Sequence, residues 1–157
     1  MSNDSSKKSN DFTASFSVSQ TPDEVFRAIN DVRGWWAGQI EGPTDQPGGE
    51  FTYRYEDVHY SKHKVTELLP GRRVVWLTVD SRLGSFADEK EWNGTRIVFD
   101  ISRQGDQTEV RFTHQGLVPS YQCYGACSSA WGSFIRKSLR DRITTGKSQP
   151  DVLKKQG

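Results

Sequence analysis

The chain has 157 residues, a normal size for one domain with its own core. Its hydrophobic content is 33% and its mean hydropathy −0.75, in apolar runs of a few residues, far below the roughly 20 needed to span a bilayer. Lys and Arg number 21 against 20 Asp and Glu, interspersed for a net charge of +1, which gives none of the basic footprint of a nucleic-acid reader.

Residues 1–11 are polar and small and read as a tail, with no apolar stretch behind Lys7 and Lys8 to make a secretory leader. Order is expected from Phe12, where Phe12, Ala14, Phe16 and Val18 alternate with polar residues as a half-buried strand does. Thr21-Pro22-Asp23-Glu24 is a capping box with proline at the first helical position, and Val25, Phe26 and Ile29 mark one face of the short helix that follows. Trp35 and Trp36 come next, in a second short turn or helix. Two adjacent tryptophans beside loops are not expected to enter one core together, so one is assigned to a rim or a partner surface.

Residues 42–49 are rich in Pro and Gly and read as loop. Strands are then expected at Phe51–Tyr55, over 59–69 up to the Pro70-Gly71 turn, and at Arg73–Asp80, where the apolar run Val74–Leu77 leaves the inward parity open. Residues 82–94 read as a long loop. Ile97, Phe99 and Ile101 form the next strand, and Val110, Phe112 and His114 the last. Short connections make this an antiparallel meander. A helix is expected from around Pro119–Tyr121 to the Thr145-Gly146 stop, with Tyr124, Cys127, Trp131, Phe134, Ile135 and Leu139 on one face. Residues 147–157 read as a frayed tail.

The implied fold is α+β: a curved antiparallel sheet of about six strands wrapped around a long C-terminal helix, with two short helices between the first two strands. A cylinder against a concave sheet leaves space between them, so residues 12–146 are expected to enclose a small apolar pocket.

The segments Phe16–Ile29, Gly49-Glu50-Phe51, Val65–Trp76, Gly94–Asp100, Thr108–Leu117 and Ser129–Leu139 resemble, in order and spacing, the START-like or SRPBCC superfamily with its helix-grip fold. Within it the chain is similar to the bacterial homologues of the activator of heat-shock-90 ATPase. The resemblance covers residues 12–146. It implies the fold more than a function, since lipid and hormone carriers, polyketide cyclases and cochaperone domains share it.

No motif supplies chemistry. His59 and His63 lie four apart on an expected strand, about 13 Å along it, too far to share a metal. Cys123 and Cys127 are neighbours on a helix but lack a second ligand pair, so they read as packing. There is no nucleophile elbow, phosphate loop or dinucleotide fingerprint. No metal or cofactor is expected. His114 faces inward by parity, and it reads as a core histidine or, alternatively, as a pocket donor or acid–base group.

The residues expected to line the pocket are Trp35, Trp36, Phe51, Tyr53, Trp76, Phe99, Phe112, His114, Tyr124, Cys127 and Trp131. The first functional expectation is a noncatalytic cytoplasmic domain for a small apolar or amphipathic molecule of the lipid, polyketide or flavonoid class, with neither nucleic acid nor membrane as partner. The resemblance supplies a second, a cochaperone-like stress protein acting on a heat-shock-90-type ATPase. A third is a cyclase or hydratase using His114.

Overall fold

The computed structural model describes residues 11–36, 38–55, 59–83, 92–117 and 124–146. Strand β1 spans Phe12–Val18 and leads into helix α1, Pro22–Asn30. The capping box forms as expected: the Glu24 N–H donates to Thr21 Oγ1 at 3.2 Å and the Thr21 N–H to Glu24 Oε1 at 2.9 Å. A 3₁₀ turn at Val32–Gly34 follows, then β2 (Gln39–Glu41), β3 (Glu50–Tyr55), β4 (His59–Leu69), β5 (Arg73–Leu83), β6 (Arg96–Gln104) and β7 (Gln107–Gln115). The closing helix runs as α2 (Tyr124–Ser133), a π-helical stretch at Phe134–Leu139, and α3 (Arg140–Thr145).

One sheet holds all seven strands in the order β1-β7-β6-β5-β4-β3-β2, with every neighbour antiparallel. The meander is therefore as expected, but with one more strand than the sequence announces. Strand β2 is only Gln39-Ile40-Glu41, too short to show alternation, and it pairs Ile40 with Tyr53. The glycines beside it set its ends. Gly38 and Gly42 have φ of +116° and +104°, and a Cβ at Gly42 would collide with the Glu50 carbonyl oxygen.

Strand β5 runs three residues past Asp80, into the stretch expected as loop. Its parity is now clear: Val74, Trp76 and Thr78 are buried on the inner side with Ser61, His63 and Val65 of β4. Register shifts between Lys62 and His63 and between Val65 and Glu67 bend this pair, as bulges do in curved sheets. The closing helix lies across the concave face and buries Trp131, Phe134, Ile135 and Leu139. Its π stretch widens the buried stripe enough to admit Ser138, whose hydroxyl donates to the Trp35 carbonyl at 2.5 Å. The helix ends where Gly146 takes a left-handed φ of 80°.

Residues 1–10 and 147–157, expected as tails, lie outside the described residues, as do the expected helix start over 118–123 and Cys123. Among the described residues no helix is long and apolar enough to cross a membrane.

Candidate functional site

The inner face is built from rings. All five tryptophans of the chain are buried in one cluster between the sheet and the closing helix. Trp35 and Trp36 both point inward, at 0% and 3% exposure, which corrects the expectation that one would remain at a rim. The reason is the 3₁₀ turn before them. Successive side chains leave a helical turn roughly 100–120° apart rather than at the 180° of a strand, so both can reach the same side. Trp35 anchors by donating Nε1–H to the Ile29 carbonyl at 3.1 Å, while Trp36 stacks on Tyr53 with centroids 3.8 Å apart. Trp76 meets Phe51 and Phe99 edge-on at 5.1 and 5.3 Å, and Phe112 reaches Trp131 at 4.6 Å.

Of the eleven residues expected to line a pocket, nine are buried here, and Tyr124 and Cys127 are half-buried against the same cluster. Trp35, Trp76, Phe99, Phe112 and His114 expose 0%. These five touch neither solvent nor a water-sized void. Within the set only Tyr124 and Cys127 keep exposure, and both sit on the first turn of α2; outside the set, His59 at the start of β4 is half-buried too.

A polar strip runs through the rings. Ser61 Oγ lies 3.1 Å from His59 Nε2 and 2.8 Å from His63 Nε2, and Thr78 Oγ1 lies 3.0 Å from His63 Nδ1. His59 and His63 thus converge on one hydroxyl, although their backbones are four residues apart along β4. Among the described residues no three metal-ligating side chains gather.

His114 has a fixed role. Thr95 Oγ1 donates to the Trp92 carbonyl at 2.6 Å, so its lone pair must receive the proton on His114 Nε2, 2.8 Å away. That leaves Nδ1 as the acceptor for Trp131 Nε1–H at 3.1 Å. The hydrogen-bond pattern therefore assigns a neutral imidazole protonated on Nε2. Burial, then the charge of His59, pushes its pKa down to about 3. Burial likewise lowers His59 to about 4 and carries His63 well below the ordinary histidine range. With both nitrogens committed, His114 in this arrangement ties the last strand to the helix.

Two indole donors of this face lack partners. Trp76 Nε1 and Trp92 Nε1 are buried and find no acceptor. Trp92 is wedged edge-on between His59 and His114, at 4.7 Å from each, and lies parallel to Trp131 at 5.8 Å and 13°. Sequence reading did not select Trp92, His59, Ser61 or His63 for this face. The first sits next to Asn93-Gly94, a turn signal that masks an inward ring. The others lie on a strand whose polar composition suggests solvent on both sides, and the alternation of Ser61, His63 and Val65 was the available cue.

The family model described as Activator of Hsp90 ATPase homolog 1-like protein matches residues 19–143. The solution structure of the Aha1 dimer from Colwellia psychrerythraea is 26% identical, with a TM-score of 0.71 over 88% of this chain and 98% of that one. Two further structures show the fold alone. CalU16 from Micromonospora echinospora is 16% identical, with a TM-score of 0.59 over 90% of this chain and 78% of its own. Mll3558 from Rhizobium loti is 17% identical, with a TM-score of 0.65 over 80% of this chain and 92% of its own. Comparison with curated proteins finds no match.

Proposed function

The chain belongs to the family of Activator of Hsp90 ATPase homolog 1-like proteins, and on that premise we propose that it is a noncatalytic binding domain, holding one small apolar or amphipathic molecule between the sheet and the closing helix. The observation that supports this reading is the uneven sealing of the ring cluster. Its deep members are fully covered, whereas Tyr124 and Cys127, at the N-terminal end of α2, and His59, at the start of β4, are only half-buried. A ligand enters there and slides along Trp131 and Trp92 toward Phe112. Such a site is apolar with a few convergent polar groups, the usual composition of a small-molecule pocket. His114 lends no acid–base chemistry, since its one free lone pair already receives the Trp131 N–H.

Titration with a panel of lipids, flavonoids and polyketide-like aromatics, followed by amide and indole chemical shifts, tests the reading. Saturable shifts at Tyr124, Trp131 and Phe112 are expected. Shifts at none of the three, for any compound, overturn it.

A second reading is favoured by the family match and the 26% identity to the Colwellia Aha1. In that reading the domain binds a heat-shock-90-type ATPase and changes its turnover. An ATPase assay with added domain checks it, and unchanged turnover with no complex on a sizing column removes it.

A further inference from the structure

Resting on the binding reading above, we infer that the pocket selects an uncharged, flat aromatic molecule carrying an oxygen acceptor, and that Trp92 is the residue that reads this acceptor. Three observations carry it, each from the inner face itself.

The first is charge. Among the described residues no Asp, Glu, Lys or Arg side chain is buried. The polar groups among and beside the rings include the hydroxyls of Ser61, Thr78, Thr95, Ser138 and Tyr53 and the three imidazoles, none of them a fixed charge. His114 cannot become a cation without setting a new Nδ1–H against the Trp131 N–H that now donates to it. A fatty-acid carboxylate drawn into this layer would lose its water and find no counter-charge, a penalty that a neutral ring does not meet.

The second is the unpartnered donor. In Trp92 the backbone carbonyl is taken by Thr95, while the indole N–H is buried without an acceptor. It has no water-accessible surface, so no water can satisfy it in this state. An N–H over an imidazole face makes at most a weak bond. A ligand oxygen that displaces the present covering atoms meets a donor whose hydration cost is already met. A site of this kind discriminates against analogues that lack the acceptor, because they leave the polar group unpaired. Trp76 carries the same orphan N–H but is sealed at 0% exposure, whereas Trp92 adjoins half-exposed His59.

The third is shape. Trp92 and Trp131 lie nearly parallel, and so do Trp36 and Tyr53, at interplanar angles of 13° and 8°. Trp36 and Tyr53, at 3.8 Å, already fill each other's faces, whereas the Trp92–Trp131 pair, 5.8 Å apart and next to half-buried His59, presents the flat surface that suits a planar ring better than a branched or flexible chain.

Three matched probes separate the possibilities: 9-fluorenone, fluorene and fluorene-2-carboxylate, titrated into the full chain by tryptophan fluorescence and by 15N indole shifts. Fluorenone is expected to bind about tenfold more tightly than fluorene, the worth of one buried hydrogen bond, and the carboxylate more weakly than either. In the wild-type protein the Trp92 indole N–H should move downfield with fluorenone and not with fluorene, a readout that needs no variant. Trp92→Phe should remove the preference for fluorenone, so that fluorenone and fluorene bind the variant with equal affinity. Equal binding of fluorene and fluorenone, tight binding of the carboxylate, or a static Trp92 indole resonance overturns this inference and leaves the binding reading standing. If none of the probes and none of the wider panel shifts the inner residues, the binding reading itself fails and this inference with it.

Discussion

Acidification from pH 7 to pH 5 should destabilise this protein through its buried histidines. His63 and His114 are fully buried, and His114 is pushed down to about 3, first by loss of solvent and then by the nearby His59. His63 is lowered in the same direction and for the same leading reason. A histidine lowered on folding is one whose proton the unfolded chain accepts and the native state refuses. Its contribution is therefore unimpaired above the unfolded value of about 6.5 and is lost as the pH falls from there toward the folded value. At pH 5 the gap below 6.5 is about 1.5 units, or about 2 kcal/mol for His114 at 1.36 kcal/mol per unit. His114 alone then costs about 2 kcal/mol, a substantial share of the 5–15 kcal/mol typical of a domain, and His63, shifted the same way, adds to it. His59 keeps partial exposure, and water blunts its share, so it is left out of the sum. Urea unfolding followed by tryptophan fluorescence at pH 7, 6 and 5 measures this directly. With a slope of about 2 kcal/mol/M the midpoint should fall by at least about 1 M. Stopping at pH 5 stays above the ordinary carboxylate range. An unchanged midpoint, or imidazole resonances that show His114 protonated in the folded protein at pH 5, would refute the argument.

Gly116→Ala should cost about 2 kcal/mol, because φ there is +101° and the new Cβ would lie 2.7 Å from Thr95 Cγ2, on the residue that links His114 to Trp92; a loss under about 0.5 kcal/mol in urea unfolding speaks against it. Trp131→Phe retains a ring but leaves His114 Nδ1 without its donor, for a loss of about 2–4 kcal/mol from the unpaired acceptor and the missing volume. Combined with Thr95→Val, it should show a coupling above about 0.5 kcal/mol in a double-mutant cycle, and strict additivity would mean that the two bonds to His114 act independently. Replacing the strip as a set, Ser61→Ala with His63→Leu and Thr78→Val, should change stability by less than about 1 kcal/mol, whereas His63→Leu alone should cost about 1–3 kcal/mol by orphaning Thr78. A triple variant worse than the single one contradicts that reasoning.

Much of the fold was legible because local signals agreed with the tertiary result. The Thr21–Glu24 box, the Pro70-Gly71 turn and the alternation at β1, β6 and β7 each have one physical cause, and each appears where its cause operates. Strand β2 was not legible, since three residues carry no period and its existence depends on the Tyr53 edge it pairs with. The aromatic wall was readable from strand parity and helix spacing. The polar strip was not, because hydroxyls and imidazoles on a strand signal solvent unless their partners are known, and those partners come from β5 and from the Trp92–Thr95 turn. Trp35 and Trp36 show the same limit. Their direction is set by a three-residue 3₁₀ turn, whose geometry no hydrophobic period announces.

Stability alone does not account for the composition of the inner face. A neutral, fully bonded imidazole in a core contributes little net free energy over a well-packed apolar side chain, since each of its bonds replaces one made to water in the unfolded chain. Its effect is instead to fix position: His114 holds Trp131 at one nitrogen and Thr95 at the other, and so sets the distance between the last strand and the closing helix. Against that background the two tryptophans touching His114 are not equivalent. The Trp131 N–H is committed to the fold, whereas the Trp92 N–H, 4.7 Å away across the same imidazole, is buried at a cost and given nothing inside the chain to bond. A layer that satisfies His114 so fully has the means to satisfy its neighbour. On the binding reading proposed above, that unmet donor, unlike the sealed N–H of Trp76, is the one placed within a ligand's reach.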